Sequence, residues 1–274
     1  MRLNQKGFTL IEIAIVLLIV TILLGYTVAL FPRQQELKQY RAVDKEMDEI
    51  IAAIVGFAQV NGRLPCPDTS GDVNGTTVLG IVDGQEDIDD LILNDDGTAG
   101  TDGFPDNCKA FFGFLPSATL GMNGDINANG QLQDPWGRVY RYAVSDVDAG
   151  VGGVDLVSRN GIREEGISNV IPDIFICDGS DDAEDDLDCD EVTGNQVVGN
   201  VAAVIISLGK NFDLTAASSN IQEENFDDFN DGTNDKVYIS TTRSDVAGAE
   251  FDDIVKWISP NLLFSKMIEA DQLP

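Results

Sequence analysis

Residues 8–31 constrain this chain more than any others. Phe8 to Phe31 is a run of 24 residues with one ionic side chain, Glu12. A helix apolar on every side has no water-facing surface, so it needs lipid or other apolar helices around it. Glu12 conflicts with that setting. A carboxylate near the bilayer interior costs about 2.5–3.5 kcal/mol even on the lenient insertion scale. A cost of that size calls for a partner that neutralises the charge. A short leader, Met1 to Gly7, precedes the run and carries Arg2 and Lys6. Two plainer readings compete: a secretory signal peptide cut near Thr27-Val28-Ala29, and a simple single-span anchor. The first would leave Glu12 out of place.

The segment Lys6-Gly7-Phe8-Thr9-Leu10-Ile11-Glu12 resembles the class III signal of type IV pilins and of type II secretion pseudopilins. The resemblance implies that a membrane-bound prepilin peptidase cuts between Gly7 and Phe8 and methylates the new amino group of Phe8. It also implies that Glu12, fifth in the mature chain, is an assembly residue. The physics agrees, because a neighbouring subunit's ammonium can cancel the carboxylate, and such an attraction strengthens as the dielectric falls. Arg33, Lys38 and Arg41 follow the span as Arg2 and Lys6 precede it, so loop charge alone does not orient it. The orientation, leader in the cytoplasm and remainder outside, rests on the resemblance.

The net charge is −30, and loss of the leader makes the side-chain charge −32. Such a surface repels nucleic acid and anionic lipid heads. There is no histidine, which removes the commonest general base and transition-metal ligand. No nucleophile constellation stands out, so an anchored hydrolase built on paired carboxylates is a distant reading. Four cysteines, Cys66, Cys108, Cys177 and Cys189, fit disulfides outside the cytoplasm and allow three connectivities. Pairing sequence neighbours, Cys66–Cys108 and Cys177–Cys189, closes the shortest loops. A zinc site lacks any close cysteine pair.

Beyond the apolar run, Tyr40, Val43, Met47, Ile50, Ile54 and Phe57 recur at three- and four-residue steps. That is a helical stripe. One helix from Phe8 to Val60, roughly 80 Å long, is expected. Pro32 should kink it, and Asn61-Gly62 with Pro65 should end it. The expected organisation is a leader (1–7), a membrane or filament-core half-helix (8–31), an amphipathic half-helix (32–62) and a globular head (63–274). The expected fold class is α+β: a pilin-like lollipop whose long helix packs on one antiparallel sheet with long irregular loops. Strand-like runs are Val78–Val82, Val139–Val144, Ile171–Cys177, Val197–Leu208 and Val237–Ser240. Ser259-Pro260 reads as the start of a terminal helix, Asn261 to Ala270. Asp134-Pro135-Trp136-Gly137-Arg138-Val139-Tyr140-Arg141-Tyr142 is similar to the D-P-W-G-x-x-Y-x-Y stretch of pseudopilin heads. Ile206-Ser207-Leu208-Gly209-Lys210, with Asp252-Asp253-Ile254 and Trp257, is similar to their C-terminal part. About 40 residues separate Lys210 from Asp252, where the related proteins have a short loop.

The resemblance also implies calcium, since the main pseudopilin binds it through a C-terminal acidic loop that Asp252 and Asp253 resemble. Independently, Asp125, Asn127 and Asn129 place oxygens at alternate positions before Gly130, as a calcium loop begins. The twelfth position from Asp125 is Trp136 rather than Glu. No organic cofactor is expected. The sequence therefore reads as a non-enzymatic pilus-like subunit, a type II secretion pseudopilin or minor type IV pilin. Its partners would be other pilin or pseudopilin subunits, prepilin peptidase and an inner-membrane assembly platform. It would sit in the inner membrane, then in a periplasmic pseudopilus or extracellular pilus. The alternative is an adhesive pilin whose head, through the insertions at 67–107 and 179–194, contacts secreted proteins or a surface ligand.

Overall fold

The computed structural model describes residues 9–69, 83–88, 108–145, 156–158, 161–165, 172–179, 195–211, 222, 225, 236–246 and 249–273, without side chains at 25–33, 164, 165 and 249. The chain divides into two compact units, 1–42 and 43–274.

Helix α1, Leu10–Asn61, runs through both units and is unbroken at Gly25 and Pro32. It ends where expected. Gly62 takes a left-handed φ of 72°, and its N–H returns to the Ala58 carbonyl, the usual glycine stop. In the second unit the predicted stripe is the buried face. Val43, Met47, Ile50 and Ile54 are fully buried, while Phe57 at the stripe's end is half-buried.

These residues pack on a four-stranded antiparallel sheet of order β1 (Phe112–Phe114), β4 (Arg141–Val144), β7 (Ala203–Ser207) and β11 (Ile254–Ile258). In the central register Tyr142 faces Ile205, and Ile205 in turn faces Lys256. The short hairpin β2 (Asp125–Ile126) and β3 (Leu132–Gln133) leads into this sheet. After it come the short helix α2 (Gly161–Glu165) and a second, three-stranded sheet. The second sheet has the order β6 (Gln196–Val201), β5 (Ile174–Cys177) and β8 (Val237–Ile239). The hairpin β9 (Ser244–Val246) and β10 (Ala249–Phe251) follows, then α3 (Pro260–Glu269). Ser259 caps α3 and Pro260 opens it, as the sequence predicts.

Two predictions need correction. The single antiparallel sheet is in fact two principal sheets, and β5 pairs with β8 in parallel. The expected strand 197–208 is two strands, β6 and β7, which serve different sheets and meet at Ala202. The reason lies in burial on both faces. Ala203 and Ile205 point into the core with α1 and α3, whereas Val204 and Ile206 point into the core with Ile174, Ile176 and Tyr238. A strand covered on both sides is apolar throughout and shows no period from which its partner can be read. Full burial of each Val or Ile there contributes about 1.5–3 kcal/mol. The far side of the second sheet holds Cys177, Val237, Ile239 and Phe251. The predicted strand 78–82 lies outside the described residues.

Cys66 and Cys108 form a disulfide across 42 residues of chain, buried beside Leu115 and α1. Its rim is braced by Arg63, whose two terminal nitrogens each donate at 2.8 Å to Glu86. Glu86 also accepts the Cys66 N–H at 3.1 Å. Cys177 is disulfide-bonded too; Cys189 lies outside the described residues. Closing a loop of this length removes about 4 kcal/mol of unfolded-state entropy. The double variant Cys66→Ser/Cys108→Ser should therefore unfold at markedly lower denaturant than the parent. Superimposable denaturation curves would refute the prediction.

Candidate functional site: the amino-terminal rod and the turn cluster of the head

From Leu10 to Leu24 α1 is exposed on all sides. Leu10, Ile11, Ile13, Ile15, Val16 and Leu17 each show half or more of their surface, and the pattern continues to Leu24. Apart from Glu12 the polar side chain there is Thr21, which turns its hydroxyl back to the Leu18 carbonyl at 2.9 Å and so asks nothing of a neighbour. An uncovered apolar surface of this length is a demand for burial by something else. Among the described residues no helix is long and apolar enough to cross a membrane. The apolar sequence itself runs on to Phe31, beyond the last side chain described in this half.

At the start of the rod, Glu12 does something the sequence reading did not foresee. Its Oε2 accepts both the backbone N–H and the hydroxyl of Thr9, each at 3.1 Å. The Glu12 N–H points at the Thr9 Oγ1 at 3.4 Å. Thr9-x-x-Glu12 is thus a reciprocal capping box that closes the first turn of α1. The carboxylate also sits at the positive end of the helix dipole, where negative charge is favoured. The signal was readable as a Thr three residues before a Glu ahead of an apolar run. Gly7 and Phe8, the predicted cleavage pair, lie outside the described residues.

A second cluster forms where the motif stretches of the head converge at the end of β7. Asp134 opens the Asp-Pro-Trp-Gly turn. Its Oδ1 accepts the N–H groups of Trp136 and Arg138, each at 2.9 Å, and Gly137 supplies the positive φ of 80°. Its Oδ2 accepts the Ser207 hydroxyl at 2.6 Å. Burial raises the Asp134 carboxyl above its ordinary range, and the hydrogen bonds from Ser207, Arg138 and Trp136 oppose that. Two residues after Ser207 the chain turns at Gly209, φ 63°. A Cβ there would lie 2.5 Å from the Asp252 carbonyl oxygen, so only glycine fits. Asp252 then accepts the N–H groups of Lys210 at 2.7 Å and Asn211 at 2.9 Å, and the Gln222 amide at 2.9 Å. The Asp-Asp pair and the Ser-Leu-Gly-Lys turn, 42 residues apart in the chain, are one structure.

The predicted metal ligands fall into two groups. In the first, Asn127 Oδ1 accepts the N–H groups of Asn129 and Gln131, at 2.9 and 3.0 Å. That side chain holds the β2–β3 turn together and does not face outward with Asp125. These residues do not fit a cation cradle. In the second, Asp252 spends both oxygens on N–H donors. Asp253 is buried; its Oδ2 accepts from Asn225 at 2.9 Å, while its Oδ1 has no hydrogen-bond partner. One orphaned oxygen falls short of the six to eight ligands that a hard cation wants. Among the described residues no group of three or more acidic or cysteine side chains converges on one point.

Burial pushes the Asp253 carboxyl up to about 7, with Asn225 opposing and the neighbouring Asp252 adding to the shift. A carboxyl with a raised folded-state pKa favours the folded state in acid. Its contribution is present below the unfolded value of 3.8 and is lost as pH rises through about 7. In chelator, the stability difference between the parent and Asp253→Asn should change by up to about 1.4 kcal/mol per pH unit across that window. Denaturant melts at pH 4, 5.5, 7 and 8.5 measure it; a constant difference would remove the claim.

The family model described as the Prokaryotic N-terminal methylation motif matches residues 2–28. That segment is the prepilin-type signal of type IV pilins and pseudopilins. No curated protein and no solved structure matches the chain.

Proposed function

We propose that the chain is a structural subunit of a pilus-like filament, a type II secretion pseudopilin or minor type IV pilin, and not an enzyme. The observation that carries this reading is the prepilin-type signal at residues 2–28 on a helix whose apolar surface, Leu10 to Leu24, is uncovered on every side. Prepilin peptidase removes residues 1–7 and methylates Phe8. The rod, 8–31, holds the precursor in the inner membrane and afterwards packs against the rods of other subunits in the filament core. The half-helix 32–62 and the head, 63–274, remain outside the cytoplasm, where the disulfide is stable.

Mass spectrometry of the native protein tests the premise. The expected mature chain begins at N-methyl-Phe8. A chain that begins at Met1, or beyond Ala29 with the rod discarded, would end the proposal. A finer part of the reading is calcium at Asp253, supported by its orphaned buried oxygen. Calcium added to the chelated protein at pH 8 should raise the melting temperature of the parent and leave Asp253→Asn unmoved. Equal response of the two proteins would exclude that residue as a ligand.

A further inference from the structure

We propose that Lys38 and Arg41, an exposed basic stripe on α1, form a docking surface for the acidic head of a second copy of this chain. The inference rests on the filament reading above and adds what the head meets there.

The charge of this chain is divided unevenly. Once residues 1–7 are removed, residues 8–62 hold 4 basic and 6 acidic side chains and residues 63–274 hold 11 basic and 41 acidic, so the head carries −30 of the −32. In the stretch 33–45, directly after the apolar rod, four basic residues (Arg33, Lys38, Arg41, Lys45) stand against two acids (Glu36, Asp44). Lys38 and Arg41 are three apart, and Lys45 follows at the next turn, so all three share one face of the helical repeat. That face is opposite the positions of Val43, Met47, Ile50 and Ile54.

Several other cations of this chain are claimed by acids. Arg63 pairs with Glu86, Lys109 with Asp87, Lys45 with Glu49, and Lys256 with both Asp44 and Asp48. Lys38 and Arg41 are exposed and make no ion pair among the described residues. Lys210 shares that state but stands alone on a turn. In a chain this acidic, two neighbouring exposed cations with no ion pair among the described residues are open to matching charge.

The occupant follows from the charges. The four basic residues of 33–45 just reach the number found in lipid-binding patches, but Glu36 and Asp44 halve their net charge, and a head carrying −30 would be repelled by the same anionic surface. A second copy supplies the opposite sign in excess. At 1.5 Å per residue, Lys38 lies roughly 20 Å along the helix from Leu24, just past the surface that packed rods would bury. One exposed ion pair is worth less than about 1 kcal/mol, but the contact recurs at every subunit, so its loss is multiplied along the polymer.

The test uses the full-length chain expressed with its assembly machinery. The double variant Lys38→Glu/Arg41→Glu should be processed to N-methyl-Phe8 as normal yet yield at least tenfold less sheared filament, and raised salt should loosen the parent filament. A photo-crosslinker at the flanking exposed residue Ala42 should join to a peptide from residues 63–274 of another copy. Filament yield unchanged by the double reversal, or crosslinks only to lipid or to another protein species, would overturn the docking surface while leaving the filament reading intact. Absence of N-methyl-Phe8 in the parent would overturn both.

Discussion

Replacing Glu12 with alanine is expected to leave cleavage between Gly7 and Phe8 unchanged and to reduce incorporation into filaments by at least tenfold. Two claims on this carboxylate compete. Within its own chain it caps α1 through Thr9; a cap is worth roughly 0.5–2 kcal/mol. Between chains it would meet the amino terminus of a neighbour. Breaking a buried charge pair costs about 3–5 kcal/mol because one charge is left unpaired. The second is the larger, so it should dominate the phenotype. Two further variants separate the claims. Glu12→Gln keeps an oxygen for Thr9 and loses the charge. Thr9→Val loses the hydroxyl contact and keeps the charge. If pairing between chains is the role, Glu12→Gln assembles as poorly as Glu12→Ala while Thr9→Val is mildly affected. If Glu12→Gln assembles as the parent does, the residue is a helix cap and nothing more. Shearing followed by quantification of pelleted subunit reads all three, with mass spectrometry to verify processing.

The capping box also changes how the exposed rod is understood. One oxygen of Glu12 is held by Thr9, which fixes the carboxylate at the helix end before any neighbour arrives. A preset group loses less freedom on pairing than a free one. The same geometry that stabilises the isolated helix leaves the second oxygen outside the cap.

What the sequence revealed and what it hid divide along a physical line. The helical stripe at Val43, Met47, Ile50 and Ile54 was legible because one face is buried and the other wet, which writes a period into the residues. The Gly62 stop and the Ser259-Pro260 start were legible because they are local backbone chemistry. The second sheet was not. Val201 to Ile206 is apolar at every position, so nothing in it marks the change of sheet at Ala202. The parallel pairing of β5 with β8 joins segments about 60 residues apart, and no short-range pattern encodes it. At the candidate sites the same division holds. Thr9-x-x-Glu12 was legible as a capping box, because its signal is local. The resemblance singled out Asp252 as a metal ligand. Its hydrogen-bond partners sit 30 to 42 residues away, so its role in tying the Gly209 turn to β11 required the fold.

That role predicts a large stability loss from a single change in the head. Asp252→Ala would strand three donors at once: the N–H groups of Lys210 and Asn211 and the buried amide of Gln222. Each buried donor left without an acceptor costs about 1–3 kcal/mol. The two backbone groups are only partly buried, so water recovers some of that. A net loss on the order of 3–4 kcal/mol is expected, which lowers the melting temperature of a domain this size by about 10 °C. Asp252→Asn keeps one acceptor and should lose less than half as much. The comparison also separates two accounts of the residue. If Asp252 acts through its hydrogen bonds, both variants melt lower by the same amount in chelator as in calcium. If it acts by binding a cation, the losses appear only in calcium and vanish once the parent is stripped of metal. The geometry favours the first, because both oxygens of Asp252 already face N–H donors.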